Sequence, residues 1–286
     1  MSPGILSLRS EVVEIGNAHG AEALAVAYHD YQHGTLWGLG AERWFHAAST
    51  IKVPVLLGVF DAIHAGELEP GARVHVRNRF LSAVDGQPYR VDATRDADRM
   101  VHAAIGRTLG VAELARQMIA SSSNLATNLL IDLVGVERIG EALSRLGLEG
   151  VELKRGVEDM VAWEEGINNR VTAAGLVGAL RALLEGRHFS LELRDRMVDI
   201  LHAQEFRDGL PRGLPDEARV ANKTGEISTV AHDAGIVFLP DREPYVVAIL
   251  TEWAPGAGAR KDAIASISRA VYLHLTDGGP GDAGRD

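Results

Sequence analysis

Residues 48–60 read ASTIKVPVLLGVF, and the rest of the chain has to be folded around this stretch. From Ser49 to about His64 the pattern is helical, yet it is apolar on nearly every face. A helix with no polar face must be covered on all sides, so it belongs in the middle of a protein. Pro54 lies in its first turns, where a missing N–H costs little. Two of its few polar residues, Ser49 and Lys52, are three apart and therefore share one helical face. A serine at a helix start meets unpaired backbone N–H groups and the positive end of the helix dipole, and both favour a developing negative charge. A lysine held there without solvent could shed its proton near neutral pH and serve as a base toward Ser49. A capping serine followed by a surface lysine would show the same four letters.

Working outward, residues 5–18 have the spacing of an amphipathic helix that stops at His19-Gly20. Strand-like runs follow at 22–28 and 35–39, with turn residues between them that make a hairpin. The middle of the chain is rich in Ala and Leu, with helices expected over 111–120, 124–134, 136–146, 172–184 and 191–204. Strand patterns return at 219–225, 233–239 and 245–253, with Pro240-Asp241-Arg242-Glu243-Pro244 as a turn. A last helix is expected over 261–275, and the Gly-rich residues 278–286 are expected to fray. Strands at both ends with helices between imply an α+β fold. One antiparallel sheet is completed by the two termini, terminal helices cover one of its faces, and an all-helical part lies alongside. Within a single domain, 1–286, the expected division is a sheet subdomain of 1–46 and 206–275 and a helical subdomain of 47–205. The cleft between them is where chemistry is expected.

The net charge of −10, with no run of Lys and Arg, argues against a nucleic-acid partner, which phosphate contacts would otherwise require. No cysteine is present, which excludes disulfides, thiolate metal sites and a cysteine nucleophile. The first twenty residues carry Arg9, Glu11 and Glu14 among their apolar positions and so lack the pattern of an export signal. A cytoplasmic location is expected for the chain as written, or a periplasmic or secreted one if a signal has been removed. No apolar run reaches the length of a membrane span. The expected ligand is a small molecule, with no membrane or nucleic-acid partner.

Two further groups carry chemistry. Ser122-Ser123-Asn124 precedes the helix at 124–134; such residues are preferred helix caps, but a hydroxyl and an amide here could also relay a proton and bind a substrate carbonyl. Lys223-Thr224-Gly225 sits on a strand, where the glycine would let a ligand backbone approach and the two side chains could hold a carboxylate. A surface lysine before a turn glycine would look the same. Ser-x-x-Lys, a Ser-x-Asn group and Lys-Thr-Gly in this order form the signature set of class A β-lactamases and penicillin-binding proteins. The surrounding text, ASTIKVPVL, MIASSSNLATNLLI and ANKTGEISTVAHDAGIVFLP, resembles that penicillin-recognising family from about Ala21 to the final helix.

The resemblance implies Ser49 as nucleophile, Lys52 as base for acylation, and Ser122, helped by Lys223, as the relay of a proton to the leaving nitrogen. It implies that Asn124 and Thr224 contact the substrate, and that the backbone N–H groups of Ser49 and Glu226, the latter just past Gly225, form the oxyanion hole. Ser123 stands where the family has an acidic residue. Glu226 is bulky and charged where the family has something small. For the glutamate that activates the deacylating water, Glu164 matches a Glu-x-x-Leu-Asn pattern with Ile167 for Leu and Asn168 as its end. An alternative alignment matches Gly166 and Asn169 to relatives with a shortened loop and leaves Glu164 as a solvated acidic residue. His46 and His232 show no His-Glu-x-x-His spacing, and His232 is expected to shape the strand behind Lys223. The mechanism so implied calls for no cofactor and no metal. The function expected is a serine hydrolase that opens β-lactams through an acyl-serine. A D-alanyl peptidase or esterase of the same fold, or a penicillin-binding sensor that keeps its adduct, are the alternatives.

Overall fold

The computed structural model of the chain describes residues 7–276. The helix expected from residue 5 is α1, Leu8–His19; Ser7 caps it by accepting from the N–H of Ser10, and Gly20 ends it at φ 81°. The first two expected residues of that helix and the tail at 278–286 lie outside the described residues. The hairpin follows as β1, Ala23–Asp30, and β2, Thr35–Leu39. Next come α2 (Lys52–His64), α3 (Val111–Ala120), α4 (Asn124–Val134) and α5 (Val136–Arg145). A short α6 (Met160–Glu164) leads to α7 (Ala173–Glu185) and α8 (Leu191–His202). Strands β3 (Arg219–Ile227), β4 (Val230–Leu239) and β5 (Arg242–Glu252) precede α9 (Arg260–Thr276).

The five strands form one antiparallel sheet in the order β3-β4-β5-β1-β2, so the amino-terminal hairpin completes a sheet made by the carboxy-terminal strands. Alternation along each strand divides the core. Val26, Tyr28, Val247 and Ile249 face α1 and α9, where they meet Val12, Ile264, Ile267 and Val271. Ala25, Ala27, Ala248 and Leu250 face the other way and join the larger core with α2, α7 and the remaining helices.

Every residue of α2 from Lys52 to Ala62 is buried, as its uniform apolarity required. Gly58 lets α5 lie close, because a methyl group there would stand 2.8 Å from side-chain atoms of Ile139. Ser49 itself is not in the α-helix. It belongs to a 3₁₀ turn, Ala48–Ile51, that runs directly into α2. Side chains three apart eclipse in such a turn, which brings Ser49 and Lys52 onto one line.

Two strands begin three residues before their expected start. The turn after β3 is only Ser228-Thr229, so β4 begins at Val230 instead of Asp233. The turn before β5 is only Pro240-Asp241, and β5 begins at Arg242. Pro244 is accommodated because the β4–β5 register shifts between Val237 and Leu239, and a bulge tolerates a residue that cannot donate.

Candidate active site

The site is assembled where the 3₁₀ turn, the end of β3, the start of α4 and the loop before α6 converge. Three of the four non-glycine residues with positive φ among the described residues lie here: Ala48 (44°), Ser122 (60°) and Glu158 (61°). Such conformations cost about 1–3 kcal/mol each and persist only where the surroundings enforce them.

Strand β3 passes directly over the turn. A methyl group on Gly225 would stand 2.9 Å from Thr50 N and 3.1 Å from Ser49 N. This glycine therefore makes room for the backbone of the turn that carries Ser49. The same contact sets the amides of Ser49 and of Glu226, the next residue on β3, on neighbouring segments.

Lys52 is fully buried. Its Nζ donates to Ser122 O at 2.7 Å, Ser122 Oγ at 3.1 Å and Asn124 Oδ1 at 2.8 Å. Burial pushes its pKa down to about 7, against an upward pull from the carboxylates of Asp96 and Glu158. Of the three motif residues before and within α4, Ser123 is the cap, accepting from Ala126 N at 3.1 Å. Ser122 and Asn124 are left to face Lys52. The negative charge missing at Ser123 comes from elsewhere in the chain. The buried Asp96 accepts from the N–H groups of Asn124 and Leu125, both at 3.0 Å, where a helix start favours an anion.

Lys223 is also fully buried, not a surface lysine. Its Nζ donates to Thr224 O at 2.9 Å. Burial, and then repulsion from Lys52, hold it well below the usual lysine range, partly offset by Asp233. Thr224 and Glu226 line a recess of about 210 Å³ together with Ser49, Ser122 and Asn124. Glu226 is held at the rim by Arg260, which donates to its Oε1 at 2.6 Å, and Lys261 from α9 bridges to Asp208 at 2.6 Å. Sequence spacing gave no hint of Lys261, since it lies 38 residues beyond Lys223.

The structure does not bring Glu164 to the others. It ends α6 with an exposed side chain, while Trp163 and Met160 of the same helix turn toward the cleft. From this loop, the carboxylate that does reach the site is Glu158. Its Oε1 accepts from Asn124 Nδ2 at 2.7 Å and its Oε2 from Asp92 N at 2.9 Å. The amide of Asn124 thus spans from the amine of Lys52 to the carboxylate of Glu158, which fixes which end is oxygen. The loop bearing Glu158 is held by two asparagines. Asn128 pairs with Val157, accepting from its N at 2.8 Å and donating to its O at 2.9 Å. Asn169 accepts from Lys154 N and Arg155 N and donates to Arg155 O. The buried Arg155 closes the loop onto Ile167 O at 2.8 Å and Asn168 Oδ1 at 3.0 Å. The asparagines near Glu164 are therefore loop clamps, and the residue they position lies ten places earlier than Asn168. A lone Glu after Gly156-Val157 carries no spacing signal that would have found it.

His232 lies on β4, the strand paired with the one that carries Lys223. It lies opposite Gly225 and donates from Nε2 to His46 O at 3.0 Å, tying β4 to the segment that leads to Ser49. A second, larger recess of about 460 Å³ opens beside Ser49 and is lined by Glu158, Val157, Met160, Trp163 and Ile227.

With this geometry in view, the chain was compared with known proteins. The family model described as the beta-lactamase enzyme family matches residues 7–275. A β-lactamase of Bacteroides uniformis is 30% identical over 177 residues, 58% of this chain and 60% of that protein's length. Among solved structures, a mutant of PBP-A, described as an acyl-enzyme complex with penicillin G, is 26% identical. It covers 94% of this chain and 96% of its own, with a TM-score of 0.80. A β-lactamase from Sphaerobacter thermophilus is 29% identical, with 94% and 97% covered and a TM-score of 0.76. With the family model matched over nearly the whole chain and the fold shared with these structures, the chain belongs to the β-lactamase enzyme family.

Proposed function

We propose that the chain hydrolyses β-lactams or related cyclic amides through an acyl-serine intermediate. The observation that carries this reading is the amine of Lys52, fully buried, near half-neutral at pH 7, and hydrogen-bonded to both Ser122 and Asn124. Neutral Lys52 takes the proton of Ser49 as Oγ attacks the lactam carbonyl. The N–H groups of Ser49 and Glu226 receive the developing oxyanion, an effect on the order of 10²–10³ in rate per donor. As the C–N bond breaks, Ser122 passes its hydroxyl proton to the leaving nitrogen and regains one from Lys52. Lys223 lowers the cost of charge beside Ser122. Thr224 and Lys261 offer donors to a substrate carboxylate, Lys261 exchanging Asp208 for it.

For the second half-reaction, Glu158 replaces Glu164 as the base. It takes a proton from water, the resulting hydroxide attacks the acyl carbon, and Ser49 is released with its proton restored. Glu158 lines the larger recess with Ser49; Glu226 does so too but is paired with Arg260, whereas Glu158 bonds to Asn124 and through it to Lys52. The likeness to PBP-A, whose described structure is an acyl-enzyme, supports attack by serine on a penicillin.

An intact-mass time course with a penicillin tests both halves. The native protein is expected to gain the mass of the drug transiently and to release it opened, and Ser49→Ala to gain nothing. Glu158→Gln should hold the adduct, and Glu164→Gln should turn over as the native protein does. Unchanged turnover in Glu158→Gln would remove that residue from the mechanism. A persistent native adduct would make the protein a penicillin-binding peptidase or sensor. No adduct at all would move the search to small esters and D-amino-acid amides.

A further inference from the structure

Ala48, the residue before the nucleophile, sits at φ 44°, a region that a side chain with a Cβ disfavours. Something must hold it there, and the contacts around it are specific. Ala47 N donates to Asn169 O at 3.0 Å, and Ala47 O accepts from Thr50 N at 3.1 Å and from Thr50 Oγ1 at 2.6 Å. Ala48 N donates to Nδ1 of His46 at 3.0 Å. A backbone N–H can only donate, so Nδ1 must be the unprotonated nitrogen of that ring.

The backbone of His46 is itself held from the far side. His46 O accepts from Nε2 of His232, whose Nδ1 accepts from Thr251 N at 3.2 Å. Each link therefore has one possible direction, from Thr251 N–H through His232 to the His46 carbonyl. The bond from the i side chain to the i+2 N–H is the arrangement by which an asparagine or aspartate closes an Asx turn. Here an imidazole takes that place at the entry to the catalytic turn.

We infer that His46 is a positioning residue for the nucleophile: its Nδ1 accepts the Ala48 N–H and holds Ala48 in the left-handed conformation from which the turn carrying Ser49 departs. Through that turn it sets both Ser49 Oγ relative to Lys52 and the Ser49 N–H relative to β3. His46 also faces the larger recess, but it takes no proton in this role. The inference rests on Ser49 as the attacking residue.

The test compares His46→Ala and His46→Asn by two readouts. Exchange of the Ala48 amide hydrogen in the resting protein, followed by NMR, does not depend on any substrate. The acylation rate with a penicillin, measured in single turnover on the folded protein, reads the effect on Ser49. His46→Ala should expose the Ala48 amide and slow acylation by roughly ten- to a hundredfold, with the substrate's apparent affinity little changed. His46→Asn, which restores an acceptor two residues before the same N–H, should keep the amide protected. Its acylation should stay within about threefold of native, less than the cost of leaving the N–H unpaired. An amide equally protected in native and Ala variants would overturn the inference. So would an Asn variant as slow as Ala despite a protected amide, since the ring would then act on substrate directly. If the native protein forms no adduct, the proposed hydrolysis fails, while amide exchange still decides what His46 holds.

Discussion

Lys52 carries its amine where no solvent reaches it, and its three hydrogen bonds all go to uncharged oxygens. A pKa near 7 gives the acylation rate an acid limb there. Below that pH the amine is protonated and cannot accept from Ser49, so the rate should fall about tenfold per pH unit. A profile flat from about pH 5 to 8 would show that Lys52 is not the base. The same displacement acts on stability. Between pH about 7 and the ordinary lysine value the unfolded chain holds a proton that the folded chain has lost, so stability rises with pH across that window. Below it the penalty of a buried charge is present in full. Lys52→Met should therefore abolish acylation while raising stability at neutral pH. Ser49 and Lys52 were legible because a lysine on an all-apolar helix has nowhere polar to go. The burial of Lys223 was not, because whether a strand residue is buried depends on which helix covers it.

At the scale of elements, the site depends on how closely β3 approaches the 3₁₀ turn. Gly225→Ala forces a methyl group to within 3.1 Å of two backbone nitrogens, which cannot move aside as a side-chain end can. The variant should lose about 1–3 kcal/mol of stability, the usual cost of overpacking. It should also lose acylation beyond what its unfolded fraction explains, because the strand and the turn carry the two N–H groups proposed to receive the oxyanion. Urea unfolding and single-turnover acylation on the same preparation separate the two effects, and a variant native in both would show that the contact is slack. The elements themselves were largely readable: α3 and α4 fall on their expected residues, and β2 does also. Boundaries slipped where a tight turn decided them, as at Ser228-Thr229. Glu158 was missed for a related reason. Its position is set by side chains of Asn128 and Asn169, which lie 30 and 11 residues away in the chain.

Across the whole molecule, the sheet is closed by residues from both ends, and one buried ion pair joins them. Asp30 at the end of β1 is fully buried and pairs with Arg242 of β5, which also donates to Leu275 O in α9 at 2.7 Å. Breaking such a pair leaves an uncompensated buried charge, at a cost of about 3–5 kcal/mol. Asp30→Ala should lose that much in urea unfolding yet acylate normally in the absence of denaturant, since neither residue lines the cleft. An unchanged midpoint would mean that Arg242 finds another partner or reaches water.

The sequence by itself determined the fold class, the buried central helix and the three motif serines and lysines, because periodicity and residue chemistry are properties of neighbours in the chain. Tertiary structure alone decided that Glu158 and not Glu164 enters the cleft, that Lys261 joins it, that Asp96 supports the start of α4, and that Gly225 receives the backbone of the Ser49 turn. Each of these depends on segments far apart in sequence meeting at distances near 3 Å, where a hydrogen bond or a clash is decided by packing that no local pattern records.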